Sequence, residues 1–342
     1  MKSRAATLAI LGATVAGSFA LLAFGVDFGR AETLAPRMSF LIATGPSGGT
    51  YFPVGQTIAG IISNPPGSDR CQLSDACGPQ GLIASVRTSD GAVENVLAVN
   101  AGNVDSALAQ ADVVSDAERG SGVFRKSGKQ SHVRVLAGLF PEDVLLVAAS
   151  KSSIRSVRDL RGKRVSLGVE DSGTGVTAKA VIAWFGLSAQ DVKAQHLSVD
   201  EEIRQFEDGK LDAFFFVGAA PVPLVSDLLS RGIARLIPID GSGRTRLVKA
   251  LPTVQADVIP AGTYPRTGEV QSVHVRALWI VRDTVGSALA YDIVRALFSP
   301  QNRDDLREIP AMRAIRIDDA TRDLPAPLHP GAARFFRDNG KI

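Results

Sequence analysis

The chain predicts an α/β protein with mostly parallel sheets, and three observations carry that prediction. Strand-like apolar runs alternate with helix-like segments almost throughout. Two strand-to-helix junctions, GPSGGTY at 45–51 and EDSGTG at 170–175, are rich in Gly, Ser and Thr. The body behind an apolar leader is about 300 residues long, a length that suggests two domains.

The leader comes first. Lys2 and Arg4 precede an uncharged apolar run of 22 residues, Ala5 to Val26, and Gly29-Arg30-Ala31 follows with small residues where a signal peptidase reads. Residues 1–31 are expected to be a signal peptide cleaved near Ala31; the run is also long enough to stay as an uncleaved anchor. Either way the remainder is exported. Without the leader 311 residues remain, with 35 basic against 34 acidic, so the formal charge falls from +3 to +1. A near-neutral body argues against a nucleic-acid binder, which would carry a clustered basic face.

The body starts with a strand over 38–44 and a helix over 52–63. Residues 64–81, rich in Pro, Gly and Asp, read as a loop. Strand 82–87, helix 91–101, strand 105–109, a polar helix near 111–119 and strand 133–139 follow. DVLLVAA at 143–149, bounded by Pro141 and Lys151, reads as a separate buried strand and a first crossing between domains. The pattern then restarts: strand 163–168, helix 176–186, strand 194–198, helix 200–208, strand 212–217, helix 222–231, strand 234–239. Strands at 253–262 and 273–282 return the chain to the first domain, and helices at 285–298 and 330–339 end it. Hinge motion is expected at the crossings near 141–150 and 250–275.

Cys71 and Cys77 are the two cysteines, six apart in a loop-like stretch. In an oxidising compartment they are expected to form a local disulfide. His132, His196, His274 and His329 are scattered and stand at no metal-motif spacing from them, so no metal is expected.

The two Gly-rich loops carry the chemistry. A strand that stops at such a loop and opens a helix turns free backbone N–H groups and the positive end of a helix dipole towards an anion. In the first loop Ser47 and Thr50 add hydroxyls and Tyr51 can cover an apolar ligand stem; a plain Gly-rich turn is the alternative. The loop is not a nucleotide-binding one, since Thr50-Tyr51 stands where the phosphate-loop pattern needs Lys and Ser/Thr. In the second loop Ser172, Gly173 and Thr174 offer donors, and capping of the following helix is the alternative. Ser89 stands at a strand-to-helix junction, as a cleft residue or an N-cap. Gln110 follows a strand, where open α/β sheets bind ligands. Phe214, Phe215 and Phe216 are expected in the core. Gly218 allows close backbone approach to a ligand or a neighbouring helix, and Tyr264 is a lid or rim residue. HExxH is absent from the sequence, and no histidine has an obvious sequence-near acidic partner.

Several segments together carry a resemblance: ATGPSGGTYFPVG (43–55), TSDGAVENV (88–96), AQADV (109–113), GLFPEDVLLVA (138–148), DGKLDAFFFVGAAPVP (208–223), AGTYP (261–265) and PLHPGAARFFRDNG (327–340). With the long stretch 156–181 between them, the chain resembles the TAXI family, the extracytoplasmic solute receptors of TRAP transporters, over roughly residues 38–340. The resemblance implies a two-lobed type II periplasmic-binding-protein fold with a ligand cleft between lobes. Lobe I is expected over 32–145 and 255–342, and lobe II over 146–254. It also implies a small carboxylate ligand, such as a glutamate-like amino acid, a dicarboxylate or a keto acid, handed to a membrane permease driven by an ion gradient. The residues carried over are Gly48, Gly49, Thr50, Tyr51, Ser172, Gly173 and Thr174, with Gln110, Gly218 and Tyr264 as weaker transfers. Two features depart from the family: Glu170-Asp171 brings negative charge to the second loop, and the cysteine-bearing loop 64–81 belongs to only part of the family.

The expectation is therefore a monomeric periplasmic receptor without cofactor, not an enzyme. A ligand-sensing partner of a membrane signalling protein, or an exported enzyme on the same fold, are the alternatives. A cleft dyad with perturbed pKa would favour the enzyme.

Overall fold

The computed structural model describes residues 37–67, 71 and 76–342, so the expected leader lies outside the described residues, as does much of the cysteine loop. Cys71 and Cys77 are joined as a disulfide. The chain begins β1 (Met38–Ala43), α1 (Tyr51–Ile62), β2 (Leu82–Arg87), α2 (Ala92–Ala101), β3 (Ser106–Gln110), α3 (Ala111–Arg119), β4 (Val133–Ala149). It continues β5 (Arg164–Ser166), α4 (Gly173–Trp184), β6 (Lys193–Gln195), α5 (Val199–Glu207), β7 (Ala213–Gly218), α6 (Pro223–Ser230), β8 (Ala234–Ile237), α7 (Gly241–Ala250). It ends β9 (Gln255–Ile259), β10 (Val270–Arg282), α8 (Ser287–Phe298), α9 (Arg303–Glu308), α10 (Pro330–Asp338).

Among the described residues the strands join in the order β2-β1-β3-β10-β4-β7-β5-β6, with β8 on β4 and β9 on β10. Two parallel sets, β2-β1-β3 and β7-β5-β6, flank the long antiparallel pair β4 and β10. These two strands pass through both halves of the molecule. β10 pairs with β9 at its start and with β3 at its end, while β4 pairs first with β10 and then with β7 and β8.

The two strands expected at 133–139 and 143–149 are one strand of 17 residues. Pro141 does not end it, because Pro141 stands opposite Arg276 just where the register against β10 slips. A bulge is the place in a strand that tolerates a residue without an N–H donor.

Side-chain alternation along the crossing strands builds the core on both sheet faces. At the end of β10, Trp279 and Val281 pack with Phe40, Ile58 and Phe336 under α1, α8 and α10. Leu278 and Ile280 face the other way, onto Val96, Val113 and Phe124. Along the last part of β4, Val144, Leu146 and Ala148 meet Phe215 and Ile182, whereas Leu145 and Val147 meet Phe214, Phe216 and Tyr264. The core thus falls into two pairs of clusters, one per lobe, and β4 passes from one pair to the other between Phe140 and Val144. The three phenylalanines are core residues, as expected from the sequence.

Trp279 is fully buried and its indole N–H donates to Ser106 Oγ at 3.2 Å. Trp279→Ala is expected to lower the unfolding free energy by about 3–5 kcal/mol. A fall in the urea midpoint at constant slope would show it, and an unchanged midpoint would contradict this core assignment.

Candidate functional site

Among the described residues, five helices begin at the wall of one cavity of about 80 Å³. Tyr51 opens α1, Ala92 opens α2, Gln110 precedes α3, Gly173 opens α4 and Val199 opens α5, and each lines that cavity. The parallel strands make this happen: each helix that follows a parallel strand starts at the same edge of the sheet. The first N–H groups of every helix lack intrahelical acceptors, so five positive dipole ends converge on one small space.

In the first loop the Gly49 N–H turns back onto Pro46 O at 2.9 Å. Thr50 makes no side-chain cap bond to its own helix. Its hydroxyl instead accepts the Ala219 N–H of the second lobe at 3.2 Å. A Cβ at Gly218 would lie 2.9 Å from Thr50 Oγ1, so the glycine is what admits the threonine. The close approach expected of Gly218 is therefore made by the start of a neighbouring helix.

In the second loop Ser172 caps α4: its hydroxyl accepts the Gly175 N–H at 3.0 Å and donates to Val169 O at 2.8 Å. Of the two readings of Ser172, the capping one describes its hydroxyl, because its proton is committed to Val169. Thr174 Oγ1 accepts the Val217 N–H at 3.3 Å and keeps its own proton free to donate. Gly173 lies directly under the Gln110 amide, where an added Cβ would stand 1.4 Å from Gln110 Oε1. Gln110 Nε2 is buried without a partner.

Gly49, Thr50, Tyr51, Gln110, Ser172, Gly173 and Thr174 thus meet at the cavity. Ser47, Gly48 and Ser89 do not line it; they border an adjoining groove that shares Pro46, Asp90, Val169 and Val199 with it. Ser89 Oγ donates to Thr44 O at 3.1 Å and accepts the Gly91 N–H at 3.1 Å, so it organises the loop before α2. Tyr264 is neither lid nor rim. It is 1% exposed, packs in the core of the second lobe and accepts the Val222 N–H at 3.0 Å. Its apolar ring carried more weight than its position after a loop. Glu170 turns away onto Lys179 at 2.8 Å and His196 at 3.1 Å, and Lys179 holds its carboxyl below the usual range.

The sequence reading missed the carboxyl groups. Glu142 and Glu202 line the cavity and are both 2% exposed. No lysine, arginine or histidine among the described residues lines it. Tyr51 O–H donates to Glu142 Oε2 at 2.6 Å. Burial pushes the Glu142 carboxyl up to about 8; the Tyr51 hydrogen bond opposes that, and Asp112 and Asp143 add to it. Burial also raises Glu202 well above the carboxylate range. Behind Gln110, Asp112 accepts Thr177 O–H at 2.7 Å, a buried bond between the lobes, and burial raises its carboxyl to about 6. Burial thus disfavours the charged form of Glu142 and Glu202; Asp90, the third acid of the wall, is exposed and is shared with the adjoining groove.

Glu142 holds its proton more tightly in the fold than an unfolded chain does near 4.3. Its contribution to stability is therefore present at low pH and is lost as pH rises from about 4 towards 8. Tyr51→Phe removes the donor that opposes burial, so Glu142 is expected to titrate above about 8. A side-chain carboxyl titration by NMR measures this, and an unshifted midpoint would show that the Tyr51 bond does not tune it.

Three solved structures are similar to the chain. The phosphonate-complexed PhnD1 of Prochlorococcus marinus is 10% identical, covers 89% of this chain and 99% of its own, and superposes with a TM-score of 0.51. The alkanesulfonate-binding protein SsuA of Xanthomonas axonopodis pv. citri is 15% identical over 89% of this chain and 84% of its own, at 0.48. The aliphatic sulphonate binding protein SsuA of Escherichia coli is 13% identical over 87% and 78%, at 0.44. The PhnD1 likeness is one of fold, the two-lobed architecture of periplasmic binding proteins. Residues 42–340 match the NMT1-like family, and the chain belongs to that family.

Proposed function

We propose that this protein is a periplasmic solute-binding receptor that captures a small carboxylate between its lobes and delivers it to the membrane permease of a TRAP transporter, as a member of the TAXI type. The observation that carries the reading is the convergence of five helix starts on a cavity whose two buried acids, Glu142 and Glu202, are pushed by burial towards their neutral form. Helix N-termini supply the electrostatic partner that a lysine or arginine would otherwise provide. Hydrogen bonds to a charged group contribute about 1.5–3 kcal/mol each, and the enclosed site strengthens them.

Size narrows the class. At roughly 10–15 Å³ per water position, a cavity of about 80 Å³ holds on the order of five to eight water-sized groups. That suits a short monocarboxylate or keto acid better than a glutamate-sized ligand. Helix N-termini also bind phosphate groups, so methylphosphonate, the ligand named for PhnD1, is the competitor to test.

The Tyr51–Glu142 pair is a cleft dyad with a perturbed carboxyl, and such pairs also mark catalytic sites. Here the pair is closed on itself, and no serine or cysteine nucleophile with a base stands beside it among the described residues. Reading the molecule as a receptor predicts that a bound acid is recovered unchanged after hours of incubation; its conversion would favour the enzyme.

The carboxylate reading is tested by pH. Above about 8, Glu142 ionises and repels the ligand. Calorimetry with 2-oxobutanoate, butanoate and methylphosphonate at pH 7 and pH 9 is expected to show the carboxylates bound at pH 7. Their affinity should fall roughly tenfold or more at pH 9, and Glu142→Gln should flatten the profile. Methylphosphonate binding more tightly than either carboxylate would overturn the assignment.

A further inference from the structure

Glu202 is a cavity group that the anion site leaves unused. It sits in the first turns of α5, which starts with a capping box between Ser198 and Glu201. Glu202 and, four residues on, Phe206 are the buried residues of this helix. One face of an acidic-looking segment is therefore turned inward, and its carboxyl reaches the cavity wall.

The hydrogen bonds around the carboxyl say what it offers. Ser166 Oγ, at the end of β5, accepts the Gly168 N–H at 3.2 Å and keeps its own proton free to donate. Glu202 Oε1 is buried without any partner. Burial raises its carboxyl well above the usual range, and no cation lines the cavity among the described residues to oppose that. In its protonated form the acid can carry its proton on Oε1, the atom left unpaired. Gln110 Nε2, from the opposite lobe, is a second unpaired donor of the same cavity. A buried donor left without an acceptor is costly, so both are satisfied when a ligand brings acceptors to them.

We propose that Glu202 is a specificity residue, whose unpartnered Oε1 donates a hydrogen bond to a neutral acceptor oxygen of the ligand, a keto or hydroxyl oxygen, while the convergent helix starts hold the carboxylate. The ligand class is then a short oxo- or hydroxy-acid rather than a plain fatty acid. This inference rests on the small-carboxylate reading given above.

The test is calorimetry at pH 7 on the mature chain with two matched pairs, 2-oxobutanoate against butanoate and 4-oxopentanoate against pentanoate. The wild type is expected to bind at least one oxo acid about tenfold more tightly than its parent. Glu202→Leu should erase that preference and leave the plain acid within roughly threefold. Glu202→Gln, which keeps a donor, should retain most of it. Circular dichroism and thermal melts establish that each variant is folded. A preference that survives Glu202→Leu, or a wild type indifferent to the keto oxygen, would overturn the role of Glu202 and leave the receptor reading standing. Failure of the wild type to bind any of the four acids would sink the carboxylate reading, and this inference with it.

Discussion

The site depends on a charge arrangement without cations. Five helix starts direct their N–H ends into one cavity, and burial pushes Glu142 and Glu202, two of the three carboxyls on its wall, towards the protonated form. Had Glu142 and Glu202 been ionised, their two negative charges would largely offset five helix ends of about half a charge each. Burial is thus what lets dipoles act on the ligand. The same burial leaves unpaired donors at Gln110 and Glu202, so the force that neutralises the wall also makes it demand acceptors.

Closure uses some of the groups that the ligand site was expected to use. Thr50 spends its acceptor on the Ala219 N–H, Gln110 lies on Gly173, and Thr177 donates to Asp112 at 2.7 Å. Each contact joins one lobe to the other. The Thr50 bond is a neutral one, of about 0.5–1.5 kcal/mol net, whereas Asp112, raised only to about 6, accepts from Thr177 mostly as an anion at neutral pH. Together they set a modest bias towards the closed form, of the size that a ligand's differential affinity can shift. The glycines matter here because they let these side chains cross: at Gly173 and Gly218 a methyl group would occupy the space of Gln110 and Thr50.

Much of this was legible in the sequence. The alternation of elements, the two Gly-rich loops before helices and the cysteine pair all carry local signals, and local signals survive folding. What was not legible came from tertiary packing. Pro141 reads as a break, yet a bulge against Arg276 absorbs it inside β4. Tyr264 follows a loop and reads as a cleft residue, but its ring is drawn into the core around Phe214. Helix α7 begins at Gly241 and contains GSG, a stretch of low helix propensity, and Leu247 packing on the second core holds it. Glu202 is the sharpest case. In VDEEIRQFE three acids lead the helix, and only the fold distinguishes the one that turns inward.

On the receptor reading, the lobes would bend where the crossing strands pass between the two cores. Glu142 lies on β4 beside Pro141, at the point where the strand leaves one core and enters the other. A bulge at that point relaxes the ladder against β10, so bending there costs fewer hydrogen bonds than elsewhere along these strands. Next to it, Asp143 accepts the Ala220 N–H at 3.2 Å, and Asp257 faces His274 at 2.8 Å. A hinge placed at Glu142 couples lobe angle to the position of the acid that Tyr51 fixes from α1. Opening that separates Tyr51 from Glu142 would expose the carboxyl to water and lower its hold on its proton. The wall would then turn negative as the lobes part, so charge repulsion would favour release of the anion in the open form and retention in the closed one.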